Sequence, residues 1–263
     1  MKRLYWIARS AVLWAFSLTH FLIGGTLLIL LAIFIDPRKT DSLERFFARM
    51  VLRLAGVQFE VRYAPGFDPK RTSIFVCNHV NIFDPFVVYS AIPQFVRGWE
   101  LEDHFKVPVY GWMMKRFGNV PVPVRFTPTG MKNIVRLTRA ALDQGVSMVV
   151  FAEGGRTLDG HVKPFRDGIF RMLRQFPYPI VPLSIVGSFK FHRKGSRMLY
   201  PSTIVVHVGD TIETEGLDLD KDQVNEFREK VQQLVAAPVD AAISNASSVQ
   251  GQSDNGSNAE PMV

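Results

Sequence analysis

Six histidines are spread through this chain of 263 residues, and one of them has neighbours that could do chemistry. His79 lies in Asn78-His79-Val80-Asn81-Ile82-Phe83-Asp84-Pro85, directly after the short apolar run Ser73 to Cys77. Reactive residues on α/β scaffolds commonly sit at strand ends. A carboxylate beside an imidazole fixes its tautomer and stabilises imidazolium as the other nitrogen takes a proton. A hydroxyl activated by such a base could attack a thioester directly. His79 and Asp84 are five positions apart, which turns through about 140° on a regular helix, so a continuous helix would keep them apart. They meet only if the segment is a turn leading into a helix, and Pro85 favours such a break. Taken alone, the spacing fits equally a structural histidine beside a helix-capping aspartate.

A second group is Phe151-Ala152-Glu153-Gly154-Gly155-Arg156-Thr157, which follows the apolar run Met148 to Ala152. The two glycines allow close backbone approach, and N–H groups exposed there can cradle an anion. Arg156 adds a planar fork suited to phosphate. The alternative is a plain turn with a surface arginine. Lys163-Pro164-Phe165-Arg166-Asp167-Gly168 brings two more cations shortly after. A G-x-x-x-x-G-K sequence is absent, so a P-loop nucleotide site is not supported. His20, His104, His161, His192 and His207 have no distinctive context.

The elements that must position these groups alternate. Val57, Phe59, Val61 and Tyr63 interleave with polar residues in a strand pattern. Val120 to Val124, Met148 to Ala152, Ile180 to Ile185 and Thr203 to Val208 are further strand candidates. Helical stretches fall between them, including Thr129 to Leu142, Arg166 to Phe176 and Lys221 to Ala236. The expected fold class is α/β, a mixed sheet flanked by helices.

Ahead of this domain, Ser10 to Ile35 is a run of 26 residues without Asp, Glu, Lys or Arg. At about 1.5 Å per residue it could cross a hydrocarbon core of about 30 Å. It reads as a membrane helix, or as a helical hairpin dipping into one leaflet if Gly24-Gly25 breaks it. Asp41 to Leu54 reads as an amphipathic helix: Asp41 with Glu44 fits a capping pattern, and Leu43, Phe46, Phe47, Met50, Val51 and Leu54 form its stripe. Arg45, Arg49 and Arg53 fall on another face, either solvated or facing lipid headgroups. From Ala241 the chain is rich in Ser, Asn, Gly and Gln and reads as a disordered tail. The expected organisation is an N-terminal anchor with the amphipathic helix (1–56), a catalytic domain (57–240) and a polar tail (241–263).

Composition narrows the function. Hydrophobic residues make up 47% and charged residues 21%, enough for a full core. The single cysteine, Cys77, rules out an internal disulfide and a cysteine-rich metal site. The net charge of +7 suits anionic membrane, phosphorylated substrates or nucleic acid. The long apolar run and the lack of any RNP or zinc-finger signature argue against nucleic acid.

Together the two groups resemble the glycerolipid acyltransferase family typified by 1-acylglycerol-3-phosphate O-acyltransferases. Asn78-His79 with Asp84-Pro85 looks like its first motif, and Glu153-Gly154-Gly155-Arg156 resembles its E-G-T-R motif. Pro164-Phe165 with Gly168 and the Val181-Pro182 strand fit its later landmarks, in order, over about residues 57 to 210. The resemblance implies a catalytic His79–Asp84 pair, with Asn78, Glu153, Gly154, Gly155, Arg156 and Arg125 on the substrate side. Arg156 would bind the acceptor phosphate. It also implies an acyl-CoA or acyl-carrier-protein donor, a lysophospholipid acceptor, no metal and no bound cofactor. The expected function is transfer of a fatty acyl group to the free hydroxyl of 1-acylglycerol-3-phosphate in phospholipid biosynthesis. The expected location is the inner membrane, with the catalytic domain on the cytoplasmic side. Another membrane lyso-lipid as acceptor, or a non-catalytic membrane-surface binding protein, are the alternatives. Four departures from the family pattern stand out. Asn81 replaces the usual serine, and Gly155 replaces threonine. Arg125 is displaced by one residue, and Leu101-Glu102 stand where a lysine is usual.

Overall fold

A computed structural model of the chain describes residues 2–214 and 221–256. Among these residues the centre is a seven-stranded mixed sheet. Its strands are β1 (Val57–Tyr63), β2 (Ile74–Cys77), β3 (Val96–Leu101), β4 (Val120–Val122), β5 (Ser147–Phe151), β6 (Ile180–Val186) and β7 (Ser202–Val208). They lie in the order β1-β7-β6-β2-β5-β3-β4, and every pairing is parallel except β6 with β7. The helices are α1 (Lys2–Phe34), α2 (Asp41–Leu54), α3 (Asp84–Ala91), α4 (Tyr110–Arg116), α5 (Pro128–Asp143), α6 (Asp167–Leu173), α7 (Ser188–Phe191) and α8 (Lys221–Gly256).

Successive side chains of a strand point to opposite faces, and β2 divides its four buried residues accordingly. Phe75 and Cys77 join the apolar cluster built with α1 to α4. Ile74 and Val76 join the cluster under α5, α6 and α8. The sheet is thus covered on both faces, as parallel sheets require.

Helix α1 is continuous, so Gly24-Gly25 does not open a hairpin. The pair serves close packing instead. A Cβ on Gly24 would lie 2.9 Å from the Phe47 ring, and one on Gly25 would lie 2.9 Å from both Met113 Sδ and Val109 Cγ1. Leu28 and Ala32 of α1 belong to the same core as Phe47 and Val51 of α2 and the sheet residues Phe75 and Val206. The N-terminal 56 residues are therefore built into the catalytic core. The other side of α1 is bare: Leu4, Phe16, Ile23, Leu27 and Ile33 are all exposed. By length and composition α1 could cross a membrane.

Two readings of α2 are corrected. Its N-cap is Thr40, and Asp41 pairs with Arg45 at 2.7 Å. Glu44 turns inward to the buried Arg97 of β3, 3.2 Å away. Burial pushes the Glu44 carboxyl up despite that guanidinium. Two of the three arginines on the other face turn inward, while Arg53 is exposed. Arg45 donates to the carbonyls of Tyr89 and Ile92, and Arg49 to that of Ser90. These carbonyls close the C-terminal end of α3, where a helix attracts positive charge.

At the C-terminus the expected irregular tail is helical where it is described. Helix α8 runs past residue 240 to Gly256, in keeping with the helix-forming Ala236, Ala237, Ala241 and Ala242. Residues 257–263 of the expected tail lie outside the described residues.

Candidate active site

Three neighbouring parallel strands deliver the site. β2 pairs with β5 on one side and β6 on the other, with Cys77 level with both Phe151 and Leu183. The C-terminal ends of β2, β5 and β6 therefore open onto one edge, where α/β sheets form their crevices. His79 follows β2, Glu153 to Arg156 follow β5, and Ser188 follows β6.

The segment after β2 is the turn that a His–Asp contact needs. Asp84 opens α3 and is fully buried. Pro85 sits in the first helical turn, where its missing N–H leaves no bond unmade. The Asp84 carboxylate faces back over the turn. Its Oδ2 accepts from the backbone N–H groups of Val80 (2.6 Å) and Asn81 (2.9 Å) and lies 2.8 Å from His79 Nδ1. Its Oδ1 accepts from Ser188 Oγ at 2.9 Å. The contact at Nδ1 puts the proton there and leaves the lone pair on Nε2. The imidazole also stacks on Phe151, with centroids 4.3 Å apart and planes at 22°. It is held but not sealed, since 20% of the side chain remains accessible.

Glu153 holds the backbone of that turn. Its Oε1 accepts from His79 N–H at 2.8 Å, while Thr157 N–H donates to the His79 carbonyl at 2.9 Å. Glu153 is buried, and burial raises its carboxyl to about 7, against the lowering pull of His79 N–H and Lys163. Gly154 has φ +66, and a Cβ there would meet Arg166 Nε at 2.9 Å. Lys163 Nζ donates to the Gly155 carbonyl at 2.9 Å. The loop after β5 is thus braced by two cations. Arg156 is half-buried, and its side chain has no hydrogen-bond or ion-pair partner among the described residues. It lies close enough to His192 to depress that imidazole, adding to the larger effect of burial.

Two residues expected on the substrate side are placed otherwise. Asn78 is buried, and its side-chain amide is spent on the Ile185 backbone. Oδ1 accepts from Ile185 N–H at 2.7 Å and Nδ2 donates to the Ile185 carbonyl at 3.1 Å. It extends the ladder between β2 and β6 by a side-chain rung and is buried away from the site opening. Glu153 likewise faces the His79 backbone, as described. Arg125 stands in an exposed bend beyond β4, which ends at Val122 rather than Val124, and has no hydrogen bond or ion pair to the other site residues or to any described residue.

The departure at Asn81 has a physical account. Asn81 is fully buried; Nδ2 donates to the Ser188 carbonyl (2.9 Å), to Ser188 Oγ (2.7 Å) and to the His192 carbonyl (3.2 Å). Its Oδ1 accepts from Phe83 N–H. Ser188 and His192 are the residues that sequence reasoning missed. A signal existed for Ser188: it follows Gly187, whose φ of +85 ends β6 after the Val181-Pro182 motif. Beside α3 lies a small apolar cavity of about 40 Å³, lined by Phe21, Phe47, Phe86, Tyr89, Met113 and Phe117 among others. Among the described residues no cluster of three or more His, Cys, Asp or Glu is placed to hold a metal.

An imidazole oriented by a buried carboxylate at the C-terminal edge of a mixed α/β sheet is an arrangement able to act as a general base. Residues 58–186 match the family model described as Acyltransferase. In sequence the chain is similar to 1-acyl-sn-glycerol-3-phosphate acyltransferases. It is 25% identical over 162 residues to a 1-acyl-sn-glycerol-3-phosphate acyltransferase of Cocos nucifera, covering 62% of this chain and 52% of that one. It is 27% identical over 177 residues to 1-acyl-sn-glycerol-3-phosphate acyltransferase beta of Homo sapiens, covering 67% of this chain and 63% of that one. The matches thus span between about half and two thirds of these two relatives. In fold the chain is similar to the crystal structure of the 1-acyl-sn-glycerophosphate acyltransferase from Thermotoga maritima. The TM-score is 0.77 at 18% identity, over 92% of this chain and 97% of that one.

Proposed function

We propose that this chain transfers a fatty acyl group from a thioester donor, acyl-CoA or acyl-carrier protein, to the free hydroxyl of 1-acylglycerol-3-phosphate. The observation that carries the proposal is the 2.8 Å contact of His79 Nδ1 with Asp84, which leaves Nε2 as a base on a partly open ring. Nε2 takes the acceptor's hydroxyl proton as the oxygen attacks the thioester carbonyl. The tetrahedral intermediate collapses, the C–S bond breaks, and the imidazolium returns its proton to the departing thiolate. Asp84 stays ionised and stabilises the imidazolium between these steps. Arg156 pairs with the acceptor phosphate.

In this reading residues 1–56 are the anchor and residues 57–240 the catalytic part. The bare side of α1 rests in the inner membrane, the catalytic part lies on the cytoplasmic side, and the reaction serves phospholipid biosynthesis. The test is acyl transfer by purified protein against a panel of lyso-lipids, with each substrate varied separately. Arg156→Lys keeps the charge but loses the planar fork. It should raise KM for the acceptor more than for the donor, and Arg156→Ala should be worse by about 1.5–3 kcal/mol. Unchanged acceptor kinetics in Arg156→Ala would remove the phosphate assignment. A preference for a different lyso-lipid would replace the acceptor, and inactivity with every donor would leave a membrane-surface binding protein.

A further inference from the structure

Between Asp167 and Asp210 the chain contains no Asp or Glu. Within that stretch, α7 and the loop that links it to β7 carry Lys190, Arg193, Lys194 and Arg197. All four are exposed, and none has a carboxylate partner among the described residues. Surface cations usually find acids nearby, so an unneutralised set within eight residues is a local positive field. The loop is also firmly fixed. Trp14 Nε1 donates to the Arg197 carbonyl at 2.9 Å, Arg9 to the Leu199 carbonyl at 2.9 Å, and Leu199 N–H to Ser10 Oγ at 3.0 Å. Trp6 packs on Tyr200 with centroids 5.5 Å apart. Each of these joins the loop to the first half of α1, whose outward Leu4, Tyr5, Ile7, Val12 and Phe16 are exposed. Lys2 and Arg3 extend the positive charge at the same end of the helix.

We infer that the 190–197 loop is a second membrane contact that binds the anionic headgroups of a bilayer while α1 enters its apolar layer. The inference rests on the reading of α1 as the membrane anchor. Charge alone would also suit an acidic carrier protein. What favours a bilayer is the continuity of the patch with an exposed apolar helix face and with Tyr5, Trp6 and Tyr200 at the joint, the sequence of chemistries met on entering a lipid interface. The loop's buried side reaches the catalytic pair. Asn81 binds the His192 carbonyl and Ser188, and Ser188 binds Asp84. A loop seated on headgroups therefore sets the height of His79 relative to a lipid acceptor.

The test is vesicle flotation of the full chain, comparing neutral phosphatidylcholine vesicles with vesicles that include phosphatidylglycerol. Wild type should prefer the anionic vesicles, and the preference should fade as salt is raised. Replacing Lys190, Arg193 and Lys194 by Gln should lower binding to anionic vesicles by about tenfold or more. Binding to neutral vesicles, thermal stability and turnover of detergent-dispersed acceptor should stay unchanged. A triple variant that keeps the full anionic preference overturns the inference. So does one that binds vesicles as wild type does but shows a raised KM for acyl-carrier-protein donor, which would make the patch a protein-docking surface. Wild type that floats with neither vesicle would instead refute the anchor reading of α1.

Discussion

Ser188 Oγ donates to the one carboxylate oxygen of Asp84 that His79 does not use, 2.9 Å away. Residues 104 positions apart are thereby joined at the ends of two adjacent parallel strands. The fully buried Asp84 carboxyl meets two backbone N–H groups, an imidazole and a hydroxyl, so neither of its oxygens is left without a partner.

His79→Ala should lower acyl transfer by about 10²–10⁴-fold while the fold persists. Asp84→Asn should also be severely impaired, since an amide supplies no charge to stabilise imidazolium. Steady-state rates with circular dichroism as a control for folding decide this. Near-normal turnover by folded His79→Ala would end the general-base assignment.

Ser188→Ala should reduce kcat about tenfold, the loss of one hydrogen bond to a charged group. Its KM for the acceptor should stay unchanged, since Ser188 acts through Asp84 and does not touch substrate. Steady-state kinetics in which Ser188→Ala keeps the wild-type kcat would reduce Ser188 to packing.

Glu153 gives a stability signature with a definite sign. Its folded-state value of about 7 lies above the ordinary carboxylate range near 4.5. The folded state therefore holds a proton that the unfolded state has lost. Stability should fall as pH rises from about 4.5 to 7, by roughly 3 kcal/mol in all, and level off above that. Glu153→Gln keeps an acceptor for His79 N–H but cannot ionise, so its melting temperature should fall less over that window. Parallel slopes for the two proteins in thermal melts from pH 5 to 8 would refute the assignment.

Deleting residues 1–35 should not release a well-folded soluble domain, because Leu28 and Ala32 complete the core around Phe47 and Val51. A point probe tests the same seam. Gly25→Leu would overpack Met113 and Val109 and should cost about 1–3 kcal/mol. Differential scanning calorimetry in detergent reads it, and an unchanged Tm would mean that the helix sits loosely.

Much of this was legible in the sequence because it is local. The strands β1, β2, β5, β6 and β7 show as alternation or apolar runs, and the turn before Pro85 follows from proline chemistry. β3 was hidden because Val96-Arg97-Gly98-Trp99-Glu100 looks like neither pattern. Arg97 can be buried there only because Glu44, 53 positions earlier, turns in to meet it. The same holds at the site. His79 and Arg156 were visible as residue types at strand ends. The positioning roles of Asn78, Asn81, Glu153 and Ser188 depend on which strands become neighbours, and no spacing along the chain encodes that.

The seam between α1 and the rest of the core also fixes an order of events during synthesis. Helix α1 leaves the ribosome first, yet Leu199, whose backbone meets Arg9 and Ser10, is translated about 190 residues later. At some 5–20 residues per second, roughly 10–40 seconds pass in between. Through that interval the side of α1 that will carry Ser10, Ser17, Gly25 and Leu28 has no finished partner, and its apolar side never gains one from this chain. Until then the nascent helix carries apolar surface that lipid or a chaperone can shelter, and the seam that completes the site closes only after most of the chain is made.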